Sequence, residues 1–375
     1  MKISILKNSL IDKITVINRI CPKKTDLSVL NFFKLEAKDD KLTIFATDLE
    51  ISYKATLLTK IEEEGEFLIP AKQFYEILQN FYEDVINIEN KGNTLILRGE
   101  KTFSTLPGIS EEEYPLIPKY SEEKYIEIDN KLFEDYLEKI YGNIKTASVI
   151  KPEFAGVYMW ITENWVRLVT TDTIRLSEIK FKKDLIITNI EKEEKLLIPE
   201  TIITEYLKIK KKPLKLKIYL EPSQITFDLE DQVLLSKTLS IEYPDYQQVI
   251  PQDFNIIFYV NRDEILRALR LNKVYVDQAK EIKVKINPKE EFIELITRNE
   301  VLGENINKVD IKLESVDQDD EIEISYNIDF LTEGIKNIYS EKIFMGINIP
   351  SDYGIKPTLI KSPLEEDFIY ILMPI

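Results

Sequence analysis

An α+β chain of three repeated domains, each with antiparallel sheets and two helices, is what this sequence predicts, on three observations. Lys41–Asp48 (KLTIFATD), Trp165–Asp172 (WVRLVTTD) and Phe292–Asn299 (FIELITRN) are alternating strands that end in a polar turn. Phe67–Leu78 (FLIPAKQFYEIL), Leu196–Leu207 (LLIPETIITEYL) and Ile324–Ile335 (ISYNIDFLTEGI) each run from an apolar strand into an amphipathic helix. Copies lie about 125–130 residues apart, so one domain-sized unit recurs three times. The linkers recur as well: Glu111–Glu123 and Tyr243–Asp253 both carry a Tyr-Pro followed by a second Pro. The boundaries follow as 1–121, 122–252 and 253–375.

Each unit opens with a strand leading into a helix, in Lys2–Ile14, Tyr125–Ile140 and Ile257–Leu269. Leu10, Ile14 and Ile17 form the apolar stripe of the first helix. Leu132, Phe133, Tyr136, Leu137, Ile140 and Ile144 form that of its second copy, at spacings of three and four. Asp129 or Asn130, and Asn261, suit the N-cap. Lys91-Gly92-Asn93 and Arg98-Gly99 supply hairpin turns between alternating runs. The helices are expected on one sheet face with their polar sides outward. Equal units joined by equal linkers describe an arc, and two arcs with complementary ends close a ring.

Composition removes several function classes. There is no histidine, so Ser-His-Asp and Cys-His nucleophiles and His-bearing zinc sites are impossible within the chain. Neither G-x-x-x-x-G-K-[ST] nor G-x-G-x-x-G occurs. No cofactor or metal site is expected. The single cysteine, Cys21, rules out an intrachain disulfide framework. No apolar run approaches the roughly 18 residues of a membrane span, and the first residues lack the pattern of a signal peptide. A cytoplasmic protein with no membrane partner is the expectation.

The net charge is −16, which repels nucleic acid on average. The distribution is uneven. The predicted helix segments 7–24, 70–82, 129–146, 199–212, 261–273 and 327–339 carry +4, 0, −1, +2, +2 and −1, a total of +6 that leaves −22 elsewhere. The cations are Lys7, Lys13, Arg19, Lys23, Lys24, Lys72, Lys139, Lys145, Lys208, Lys210, Lys211, Lys212, Arg262, Arg267 and Lys336, with Arg270 and Lys273. Such a face suits phosphates, which position a protein without reading sequence. Solvated helix faces are the alternative, and Lys208–Lys212 is the one dense cluster, of a kind common at exposed helix ends.

The chain resembles the bacterial sliding clamps, the beta subunits of DNA polymerase III. The resemblance runs over all three repeats. It is carried by Ala46–Glu50 (ATDLE), Ile69–Phe74 (IPAKQF), Ser104–Pro107 (STLP) with Tyr114-Pro115, Thr171–Leu176 (TDTIRL), Ser236–Leu239 (SKTL), Tyr243–Val249 (YPDYQQV) and Met373-Pro374. The resemblance implies a ring-shaped head-to-tail homodimer, lined by helices and walled by sheets. Duplex DNA would pass through it without sequence specificity. It also implies a pocket for short apolar motifs of the replicative polymerase alpha subunit, the clamp loader and other clamp-motif proteins. By matching motifs, that pocket uses Thr171, Ile174, Arg175, Leu176, Pro244, Gln248, Val249, Phe330, Tyr370, Ile371, Leu372, Met373, Pro374 and Ile375, with Phe154 beside it. Apolar side chains and a pliable Met suit a pocket that accepts several peptides.

The sequence departs from the family pattern in three places. Thr173-Ile174 replace the usual Gly-His, Gln248 replaces a common arginine, and Lys101 replaces one of two apolar residues before STLP. With Phe103 kept, and Leu269, Arg270 and Leu271 opposite, the resemblance implies a more polar dimer seam. Two other readings remain: an acidic protein-binding scaffold that never touches DNA, and an enzyme with carboxylates gathered on Mg²⁺. Asp48 and Asp172 recur while the third copy has Asn299, which favours turn-stabilising carboxylates over a catalytic set.

Overall fold

In the computed structural model, six strands pass without a break into six α-helices among the described residues. The structure describes residues 1–109, 114–116, 118–151, 154–238, 243–317, 320–349, 355–364 and 367–375, without the side chains of 145–150. The helices are α1 (Lys7–Ile20), α2 (Ala71–Asn80), α3 (Asn130–Ile150), α4 (Glu200–Lys208), α5 (Arg262–Asn272) and α6 (Ile328–Lys336). Each begins at the residue after a strand.

The last strand residue is extended and serves as the cap. Asn261 accepts the Glu264 N–H at 3.0 Å, and Asn327 accepts those of Asp329 and Phe330. At α3 the cap is Asp129, whose Oδ1 accepts the Leu132 N–H at 3.0 Å. Asn130 instead binds the Pro213 carbonyl and accepts the Tyr206 hydroxyl. Pro70 and Pro199 precede α2 and α4 with φ of −64° and −60°, the value their rings impose.

Two helices, α1 and α4, stop four residues earlier than predicted. α1 ends at Ile20 because Cys21 precedes Pro22, and a residue before proline is pushed out of the α region. α4 ends at Lys208, where Ile209 turns extended and buries its side chain. Lys23, Lys24 and Lys210–Lys212 therefore lie outside the helices. With the observed bounds the six helices carry a net +1, not +6. The basic surplus sits just beyond the helix C-termini, where the helix dipole favours cations.

The stripes face the cores, with Leu132 of the second stripe only half-buried. Leu10, Ile14 and Ile17 of α1, and Phe133, Leu137, Ile140 and Ile144 of α3, are fully buried. Phe133, Tyr206 and Phe227 pack ring against ring at 5.4–6.0 Å. Cys21 is buried with its sulfur 3.5 Å from the Phe32 carbonyl, and burial pushes its thiol up to about 12.

The strands form sheets that cross the repeat boundaries. One compact unit comprises 1–134, 184–191 and 198–240. It holds a five-stranded sheet and a nine-stranded one, in which Ile51–Leu58 of the first repeat pairs with Gln232–Lys237 of the second. The other unit comprises 135–183, 192–197 and 241–375. Its twelve-stranded sheet joins Arg175–Lys182 of the second repeat to Phe368–Leu372 of the third, antiparallel, with Leu176 opposite Ile371. The long strand Gly303–Val316 pairs with Phe292–Asn299 near its start and with Ile256–Asn261 near its end.

Candidate functional site

The polar turn that closes the second-repeat strand is a small, fully bonded device. Asp172 Oδ1 accepts the N–H groups of Ile174 and Arg175 at 3.1 and 3.0 Å. The Thr171 hydroxyl donates to the Arg175 carbonyl at 2.8 Å and accepts the Thr173 N–H at 3.1 Å. Thr173 takes φ +76°. The same side-chain-to-backbone bonds tie the first-repeat turn, through Thr47 and Asp48, with Leu49 at φ +78°. In the third repeat Asn299 Oδ1 accepts the Val301 and Leu302 N–H groups. Each of these side chains spends an oxygen on its own turn, as the turn-stabilising reading expects.

The second turn differs in what it carries. Arg175 is buried, and its guanidinium is claimed on every side. Nε donates to Asp172 Oδ2 at 2.9 Å, Nη1 to Glu333 Oε2 of α6, and Nη2 to the Gly142 carbonyl of α3 at 3.1 Å. The guanidinium carbon lies 3.9 Å from the centre of the Phe330 ring, a stacked cation–π contact. Burial alone would disfavour the charge, but the Asp172 and Glu333 carboxylates outweigh it and hold the group above the usual arginine range. A Cβ on Gly142 would sit 1.5 Å from Glu333 Oε1, so any larger residue there would displace that carboxylate.

The C-terminal strand completes this corner. The Tyr370 hydroxyl donates to the Phe330 carbonyl at 3.0 Å, the Met373 N–H to Ile174, and the Ile375 N–H to Ser325. Segment 243–249 is fastened through strand Arg175–Lys182, where the Tyr246 hydroxyl donates to buried Glu178. Tyr243 stacks on Tyr158 at 4.4 Å and meets Phe154 edge-on at 5.7 Å. Gln248 Nε2 donates to Asp245 at 3.0 Å. Arg175, Leu176, Tyr370, Ile371, Leu372, Pro374 and Phe154 are buried and act as scaffold. Ile174 (41 %), Val249 (50 %) and Ile375 (63 %) remain exposed, as do Pro244 and Gln248. Thr171, Phe330 and Met373 are half-buried.

The basic residues differ in how far they are already paired. Lys13 is buried against Asp231 at 2.7 Å, so it does not face outward as expected. Arg19 and Lys208 share Glu205, Lys211 pairs with Asp12, and Lys212 is tucked between Glu134 and the Tyr206 ring. Lys7 donates to the Phe81 carbonyl, and Lys139 lies over Tyr339 at 5.0 Å. Arg262 reaches the Lys336 carbonyl at 3.0 Å, and Arg267 that of Asp263 at 3.2 Å. Lys23, Lys24, Lys72, Lys208, Lys210, Lys211, Arg267, Arg270, Lys273 and Lys336 are exposed, Lys273 with Asp329 at 2.6 Å. The side chain of Lys145 lies outside the described residues.

The expected seam residues divide. Phe103 is 60 % exposed at the start of a sheet-edge strand, with the Arg98 guanidinium 5.2 Å from its ring centre. Lys101 and Arg270 are exposed, and Leu271 is 46 % exposed. Leu269 is fully buried. Two residues along a helix turn through about 200°, so 269 and 271 cannot both face outward. Leu269 therefore belongs to the core of its own domain.

Comparison with known proteins accounts for the chain almost end to end. The N-terminal domain of the DNA polymerase III beta subunit matches residues 1–118, the central domain 127–245 and the C-terminal domain 247–375. The chain belongs to the DNA polymerase III beta subunit family. The beta sliding clamp of Bacillus subtilis is 23 % identical, covering 100 % of this chain and 99 % of its own. That of Helicobacter pylori is 25 % identical, covering 98 % and 95 %. The crystal structure of the Bacillus subtilis polymerase sliding clamp superposes with a TM-score of 0.90 over 100 % of this chain and 99 % of that one, at 23 % identity. The family is one of non-catalytic processivity factors of DNA replication, and this chain is such a factor rather than an enzyme.

Several residues that hold the site are not marked by any motif quoted for the resemblance. Gly142 carried a usable signal, being a lone glycine inside a helical stripe. Glu333 and Glu178 carried none, because their partners lie 158 and 68 residues away.

Proposed function

We propose that two copies of this chain close head to tail around duplex DNA and tether the replicative polymerase by topological linkage. The observation that supports this best is the family match through all three repeats. The domains are 1–121, 122–252 and 253–375. The ring stays on because it is closed, while weak phosphate contacts let it slide. The exposed cations Lys23, Lys24, Lys72, Lys210, Arg267 and Lys336 are the best placed for such contacts. Paired cations such as Lys13 and Lys212 contribute less, since their charge is already matched.

Phe103, Lys101, Arg270 and Leu271 form the seam between copies. The exposed residues Ile174, Pro244, Gln248, Val249 and Ile375, with Phe330 and Met373, receive the apolar motif of a partner. The polymerase alpha subunit, the clamp loader and other clamp-motif proteins compete for them in the cytoplasm. Ile174 in place of the family's histidine makes that surface less polar, so motifs with a larger apolar residue are favoured here. Light scattering across a dilution series tests the assembly. A mass near twice 44.0 kDa is expected, and a strict monomer at micromolar concentration contradicts the ring.

A further inference from the structure

A cavity of about 220 Å³ opens between α1 and the segment that follows α4. Its charged lining is Lys13, Arg19, Lys208, Lys210 and Lys211 against Asp12 and Asp231. The carboxylates are already spent. Asp231 holds Lys13 and Asp12 holds Lys211, each at 2.7 Å, and Glu205 behind the lining takes both Arg19 Nε and Lys208. Five cations thus meet three carboxylates. Lys210 is exposed and has no ion-pair partner among the described residues. Arg19 Nη2 is buried and finds no hydrogen-bond acceptor among the described residues. Gln232 offers nothing to it, since its side chain is committed to Tyr53 and to the Lys211 carbonyl.

A buried guanidinium nitrogen without an acceptor, beside a surplus of lysines, is a site short of an anionic oxygen. We propose that this cavity binds a phosphate group, gripped by Arg19 Nη2 and Lys210 with Lys208 and Lys211 at the rim. The planar guanidinium matches phosphate geometry, and the cavity is below the usual size for a larger organic ligand. The phosphate has two sources, a free small phosphoanion or the backbone of a bound DNA strand. Only the second rests on the clamp reading.

Titration calorimetry of the full chain with inorganic pyrophosphate at low salt tests the site by itself. One saturable site per chain is expected. R19Q is expected to weaken it by roughly tenfold or more, the loss of a charge-assisted contact. K210Q alters an exposed, unpaired side chain, so it cannot act through misfolding, and roughly a threefold loss is expected from it. A short duplex then separates the sources. If the group is a DNA phosphate, R19Q lowers the slope of log affinity against log salt by about one. An unchanged slope beside lost pyrophosphate binding assigns the site to a free phosphoanion. Absence of saturable binding, or wild-type affinity for pyrophosphate in both variants, overturns the proposal.

Discussion

The turns at Thr47–Ile51 and Thr171–Arg175 are built alike and do different work. Both lock an Asp and a Thr onto the same backbone groups, and both hold one residue near φ +77°. The first ends in Ile51, an apolar residue that is buried beside Ser236 of the second repeat. The second ends in Arg175, which is equally buried but gathers Asp172, Glu333, Gly142 and Phe330 around it. One residue changes a structural hairpin into a junction between α3, α6 and the C-terminal strand. The repeat supplies a rigid scaffold, and a single substituted position adds a buried charged corner to it.

The comparison breaks most sharply at that position. R175M leaves the Asp172 carboxylate buried with no counter-charge, so a loss of about 3–5 kcal/mol is expected in urea unfolding. I51V removes one methylene, at about 0.5–1.5 kcal/mol. R175M should also abolish binding of a fluorescent clamp-motif peptide, which I51V leaves intact. Equal costs for the two variants would mean that Arg175 is ordinary packing.

Asp-to-Asn changes sharpen the same contrast. D48N keeps the turn acceptor and should shift stability by no more than about 0.5 kcal/mol. D172N also loses its charged bond to Arg175, a further 1.5–3 kcal/mol or about that. The difference between the two midpoints measures the ion pair directly.

G142A has no counterpart in the first turn. Its Cβ would displace the Glu333 carboxylate, and overpacking of about 1–3 kcal/mol is offset by about 1 kcal/mol of helix propensity. The expected net loss is small, but Glu333 no longer reaches Arg175, and peptide affinity falls with little change in melting temperature. The smallest effect should be shared. L49G and T173G each relieve a left-handed residue at some cost in chain entropy, so both should shift stability by roughly the same few tenths of a kcal/mol. Unequal shifts would show that the two scaffolds differ.

Much of this fold was legible because local chemistry and repetition agree. Strand-to-helix junctions fall at Pro70, Pro199, Asn261 and Asn327, where the residue type itself makes the cap. The buried stripes of α1 and α3 follow directly from their spacing. Helix ends were less legible, since the lysines after Ile20 and Lys208 look helical by composition and only Pro22 and the buried Ile209 stop them. Spacing alone sets Leu269 and Leu271 on opposite sides of a helix, but which of the two is buried depends on the helix phase that the core fixes. The joining of sheets across repeats, and the Arg175–Glu333 pair, depend on chain segments far apart in sequence.

The most direct measurement of the central claim is retention on DNA of different topology. The chain is loaded onto a nicked circular plasmid with its clamp loader, and the bound fraction is followed by gel filtration before and after the plasmid is cut once. The account predicts co-elution with the circle and release on linearisation. Equal retention on circle and linear DNA would contradict a topological link.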